Sequence, residues 1–145
     1  VEALLRVLAL KVEPQTFANA ITAVVNQRLV RKLCETCKEA YAPQPQLLKK
    51  LGLPAGRIEA LYRPPQQAEE VCPDCGGIGY YGRTAFFELL VVGDHMRQYL
   101  AKGAKMDVLR KVARKEGMRS LQEEGILLVA KGVTSLPELM RVLKD

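Results

Sequence analysis

"CPDCGGIGYYGR", residues 72–83, places two cysteines two residues apart, then crowds four glycines and two tyrosines into the next seven positions. Three readings fit this string: a metal knuckle, a glycine loop that cradles phosphate, and one unit of a repeated zinc motif. The rest of the chain decides among them.

A second pair, Cys34 and Cys37, repeats the spacing, so the chain reads C-x2-C, 34 residues, C-x2-C. A C-x2-C pair can set both sulfurs on one side of a tight turn. Two such turns supply four thiolates, the usual shell of a closed structural zinc site. The gap is longer than in a simple zinc ribbon, so the residues between the pairs fold out as an insertion. Arg28, Arg31, Lys32 and Lys38 flank the first pair and offset part of the charge of zinc with four thiolates, whereas Glu35 and Asp74 oppose them. Four cysteines fill the coordination sphere, which argues against catalytic zinc. No βαβ pattern surrounds either pair, which argues against a redox C-x-x-C.

Gly77, Gly79 and Gly82 satisfy G-x-G-x-x-G. A dinucleotide fingerprint must follow a strand and open a helix, because the helix N-terminus holds the pyrophosphate. This one follows a cysteine pair and precedes a strand-like run, so the glycines serve a turn beside a metal. The P-loop pattern G-x4-G-K-[ST] is absent from the chain. Residues 72–79 also resemble the C-x-x-C-x-G-x-G zinc repeat of the J-domain chaperones. That likeness covers eight residues, and the first pair, "CETCKEAY", lacks the glycines.

The 145 residues are about half hydrophobic and a quarter charged, without tryptophan, which fits a globular protein with an aliphatic core. The net charge of +6 comes from cations interspersed with acids and reads as a solvated surface. No apolar run approaches the ~18 residues needed to cross a bilayer. The opening "VEALLRVLAL" lacks the features of a signal peptide, so a cytosolic setting with reduced thiols is expected.

Residues 1–31 read as helical. Leu4, Leu5 and Leu8 share one side, and after Glu13-Pro14 the residues Phe17, Ile21, Val24 and Val25 continue at helical steps. "RLVRKL" (28–33) is a strand entering the first cysteine pair. Residues 34–88 hold six of the eight prolines and six of the eleven glycines, and so read as loop-rich. Within them "QLLKKLGL" predicts a short helix, "RPPQQAEEV" a polar loop, and "RTAFFELLVV" a strand leaving the glycine turn. From Asp94 the chain reads as short helices. Gly103, Gly117 and Gly132 suit their C′ positions, and Ser120/Glu123 and Ser135/Glu138 match S-x-x-E capping boxes. The stripes Met106-Leu109-Val112-Ala113 and Leu136-Leu139-Met140-Leu143 are expected to pack together in one small helical bundle. His95, alone near a helix start, is expected in solvent.

The ordered set "VVNQRLVRKLCETCKEAY", "CPDCGGIGYYGRTAFFELL" and "GMRSLQEEGILLVAKGVTSLPEL" resembles the C-terminal part of the type II secretion and type IV pilus assembly ATPases. The resemblance implies an α+β fold: the C-terminal edge of a RecA-like motor domain (1–33), an inserted tetracysteine zinc subdomain (34–82), then a returning strand and helical bundle (83–145). It implies structural Zn2+ on Cys34, Cys37, Cys72 and Cys75, and a nucleotide-side role for Arg83. It further implies a hexamer at the cytoplasmic face of the bacterial inner membrane, coupled to membrane-platform proteins, with peripheral membrane association left open. ATP and Mg2+ would belong to the full-length motor. The family's Walker A lysine, Walker B acid, and acidic and histidine boxes are expected upstream of Val1, so this chain alone should not hydrolyse ATP.

The alternative is a zinc-knuckle module that binds nucleic acid, with Tyr80, Tyr81 and Arg83 as a small stacking and cationic surface. The mixed charge elsewhere speaks against it, and nucleic acid is not the expected partner.

Overall fold

The computed structural model describes residues 1–54, 58–67 and 70–144. Its elements run α1 (Glu2–Ala9), α2 (Pro14–Ala20), β1 (Ala23–Leu33), β2 (Glu39–Tyr41), α3 (Pro45–Lys50), β3 (Leu61–Arg63), β4 (Tyr80–Val91), α4 (Asp94–Ala101), α5 (Met106–Lys115), α6 (Leu121–Ala130) and α7 (Leu136–Lys144). β1 pairs with β4, and β2 with β3. No helix among the described residues is long and apolar enough to cross a membrane. The chain groups into two compact units, residues 1–26 with 87–120, and residues 27–86 with 121 onward.

The first unit buries Leu4 of α1, Ala18 of α2, Leu90 and Val92 at the end of β4, Met96 and Leu100 of α4, and Leu109 and Ala113 of α5. Glu13 starts α2 by accepting the N–H groups of Gln15 (2.9 Å) and Thr16 (2.6 Å), with Pro14 in the first turn. The predicted continuation of this helix to Val24 and Val25 does not occur. α2 ends at Ala20, where the Arg97 guanidinium takes the carbonyls of Ala18 (2.5 Å) and Asn19 (3.0 Å). The residues beyond it are mostly β-branched and favour a strand. Thr22 already accepts the N–H of Val92 at 2.8 Å.

The second unit buries Val30 of β1, Leu61 of β3, Phe86 of β4, Ile126 and Val129 of α6, and Leu139 and Val142 of α7. β2 and β3 are antiparallel, with Glu39 opposite Arg63, Ala40 opposite Tyr62 and Tyr41 opposite Leu61. These two strands and α3 lie between the cysteine pairs, and "QLLKKLGL" supplies that helix, but the span does not simply fold out, because Leu61 enters the second unit's core. The polar stretch from Arg63 lies in part outside the described residues. β4 confirms the strand leaving the glycine turn, starting at Tyr80. α6 packs on α7 closely enough that a Cβ on Gly125 would fall 2.3 Å from Leu139 Cδ1 and 3.1 Å from Phe86 Cε2.

Gly103, Gly117 and Gly132 follow their helices with positive φ, as expected. Gly132 is the most constrained: φ is +69°, and a Cβ there would lie 2.6 Å from the Tyr62 ring. The expectation of one bundle needs correction. Leu109 and Ala113 enter the first unit's core, whereas Leu139 enters the second's, and Met140 is 47% exposed. An apolar stripe requires burial but does not specify its partner. His95 stands in solvent as expected, 3.9 Å from Glu116.

Candidate metal centre

β1 delivers Cys34 directly from its last residue, Leu33, and β4 begins five residues after Cys75. Each pair closes the same turn. The N–H of Lys38 returns to the Cys34 carbonyl (3.0 Å), and that of Gly76 to the Cys72 carbonyl (2.9 Å). The turns are joined by the Cys34 N–H donating to the Gly79 carbonyl (3.0 Å) and by the Thr36 hydroxyl donating to Asp74. Gly79 has φ +75°, and a Cβ on it would sit 2.5 Å from Pro64 Cβ. Only glycine lets the backbone pass between the second knuckle and Pro64 in this conformation.

The four sulfurs lie within 4.8 Å of one another. Cys34 Sγ is 3.8 Å from Cys72 Sγ, and Cys37 Sγ is 3.6 Å from Cys75 Sγ. Four sulfurs at tetrahedral corners, each about 2.3 Å from zinc, stand about 3.8 Å apart. The two measured separations match a four-thiolate zinc shell, and all four sulfurs are close enough together to share one ion. All four cysteines are free of disulfides; Cys34, Cys72 and Cys75 are buried and Cys37 half-buried. Burial, then the neighbouring thiols, push the Cys37 thiol up. At Cys75 burial also favours the neutral thiol, but the Gly79 N–H, 3.2 Å from its sulfur, and the Cys37 and Cys72 thiols bring it below the ordinary value. Four cysteines leave no open position for water, so the centre suits cross-linking rather than catalysis.

The cationic shell expected around the first pair is partly committed elsewhere. Lys38 pairs with Glu35 at 2.5 Å and lies over the Tyr62 ring. Arg31 binds Glu138 at 2.6 Å and stacks on Tyr80, 4.3 Å from the ring centroid. Tyr80 also places its hydroxyl 2.6 Å from Ser135 Oγ. One face of its ring is thus taken by the protein's own arginine. Arg83 is exposed on β4, and Tyr81 is 67% exposed.

The residue sequence reasoning missed is Glu138. Its side chain is fully buried, yet it accepts from the Arg31 backbone (3.2 Å) and side chain (2.6 Å) and from Arg141 Nε (2.9 Å) and Nη2 (2.8 Å). The capping box is half realised: Ser135 Oγ accepts the Glu138 N–H at 3.3 Å, but the carboxylate turns to the arginines instead of back to the cap.

A family model described as "Type II/IV secretion system protein" matches residues 1–141. The chain is 38% identical over 141 residues to the type IV pilus assembly ATPase PilB of Thermus thermophilus, covering 96% of this chain and 15% of that protein. It is 36% identical over 144 residues to type II secretion system protein E of Xanthomonas campestris pv. campestris, covering 97% and 24%. It is 34% identical over 145 residues to the type II secretion system ATPase E of Vibrio cholerae, covering 100% and 28%. The chain therefore spans less than a third of the length of each of these relatives. The family match over nearly the whole chain and these identities carry one conclusion: the chain belongs to the type II/IV secretion system protein family.

Proposed function

We propose that this chain is the zinc-binding and helical region of an ATPase that powers type II secretion or type IV pilus assembly, and that it contributes structure and docking rather than hydrolysis. The carrying observation is the convergence of Cys34, Cys37, Cys72 and Cys75 in a family member, with sulfurs at the spacing of a zinc tetrahedron. Bound zinc would tie the strand end before Cys34 to the glycine turn before β4. ATP and Mg2+ chemistry belongs in this reading to the longer motor, since the chain has no P-loop pattern. The resemblance alone supports a hexamer at the inner face of the inner membrane, with platform proteins as partners, and a nucleotide-side role for Arg83.

Native mass spectrometry of protein prepared without chelator or metal-affinity tag tests the metal reading. One zinc per chain, lost on acidification, is expected. A folded chain that carries no metal when zinc is supplied would overturn it.

A further inference from the structure

The last residues of β1 have two edges. Successive residues of a strand turn their backbone groups to opposite sides. Cys34 uses one edge, toward Gly79. Arg31 and Leu33 use the other, where the Leu33 N–H reaches the Val133 carbonyl (2.9 Å) and the Thr134 hydroxyl donates to the Arg31 carbonyl (2.8 Å). The remaining donor, the Arg31 N–H, is met by Glu138 Oε1 at 3.2 Å. A side chain from α7 thus stands where a neighbouring strand's carbonyl would stand, and its other oxygen holds the Arg31 guanidinium at 2.6 Å. The contact is part-buried, and a backbone donor withdrawn from water needs such a partner. This one lies three residues before the first cysteine.

We propose that Glu138 is a positioning residue for the four-cysteine centre: from α7 it completes the open edge of β1 and so holds the first knuckle, Cys34 and Cys37, in register with the second. The inference rests on the metal reading only for its effect on metal retention; the placement of the first knuckle stands with or without zinc. Glu138→Ala should still bind one zinc per chain but release it to a chelator faster than wild type.

The discriminating readout is which cysteine reacts first. Wild type, Glu138→Ala and Arg141→Gln are treated briefly with an alkylating agent, and chains carrying a single adduct are mapped by mass spectrometry. In Glu138→Ala, which leaves the Arg31 N–H without its acceptor, the first adduct should shift to Cys34 and Cys37. Arg141→Gln, which keeps both Arg31 contacts, should retain the wild-type pattern. A wild-type pattern in Glu138→Ala, an even spread over all four cysteines, or the same shift in Arg141→Gln would overturn the proposal. If Glu138→Ala loses its helical circular dichroism, Glu138→Met, which fills similar space without an oxygen acceptor, is judged by the same shift. Absence of zinc from wild type would defeat the metal reading and leave the adduct pattern to decide this one.

Discussion

Arg31 and Glu138 stand 107 positions apart in sequence, yet a guanidinium nitrogen of one lies 2.6 Å from a carboxylate oxygen of the other. The carboxylate is fully buried, while the Arg31 and Arg141 side chains are 41% and 56% exposed. Breaking a fully buried pair costs about 3–5 kcal/mol. Solvent at the two arginines screens the interaction, so Glu138→Gln should cost about 2 kcal/mol. Urea denaturation of the metal-free, reduced proteins measures this without a contribution from zinc.

The same pair sets a pH dependence. Arg141, against the opposing effect of burial, and then Arg31 hold the Glu138 carboxyl well below the ordinary carboxylate range. A depressed native pKa means that the unfolded chain binds the proton first as pH falls. The stabilisation is therefore fully present above the ordinary carboxylate pKa and is lost as pH drops through that value toward the depressed one. The stability gap between wild type and Glu138→Gln should be constant from pH 6 to 8 and narrow steadily below about pH 4.5. A gap that widened in acid would contradict the assignment.

Cys72→Ser removes one corner of the sulfur cluster. Zinc content should fall from one per chain toward zero, and limited proteolysis should cut first between the two knuckles. The core built from Leu4, Ala18, Met96, Leu100 and Leu109 contains no cysteine, so most of the helical circular dichroism should survive. Full metal content together with wild-type protease resistance would show that the four thiols do not act as a set.

Two glycines resist replacement by alanine for different reasons. Gly79→Ala puts a side chain at φ +75° and 2.5 Å from Pro64, and should cost about 2–4 kcal/mol and weaken metal binding. Gly125→Ala should help a helix by about 1 kcal/mol. Its Cβ would instead meet buried Leu139 at 2.3 Å, and overpacking costs about 1–3 kcal/mol. The expected net result is destabilisation by about 1 kcal/mol, read from thermal melts of each variant.

The cysteine spacing disclosed the candidate site because tetrahedral sulfur chemistry tolerates few arrangements. β4 was legible from its β-branched and aromatic run, and the tail helices from their glycine ends. The end of α2 was not, because Phe17, Ile21, Val24 and Val25 satisfy a helical period that the strand from Ala23 interrupts. Nor could the stripes of α5 and α7 reveal that they serve different cores. Glu138 was hidden by an adequate local explanation: S-x-x-E accounts for a glutamate at that position, and only the fold shows its carboxylate facing Arg31.

The span between the knuckles has a further consequence. Cys34 and Cys72 are 38 positions apart, as are Cys37 and Cys75. A metal on all four closes this span as a reversible cross-link, which by the chain-entropy estimate for a disulfide restrains the unfolded chain by about 4 kcal/mol. That figure depends only logarithmically on length, and doubling such a loop changes its closure cost by about 0.6 kcal/mol. The closure cost therefore sets little limit on the length of the segment holding β2, α3 and β3; the limit comes from packing, because Leu61 of β3 is buried in the second unit's core and Tyr62 lies against Gly132. The staple at its base leaves the exposed turns of this segment free to vary, while Leu61 and Tyr62 keep it anchored to the rest of the unit.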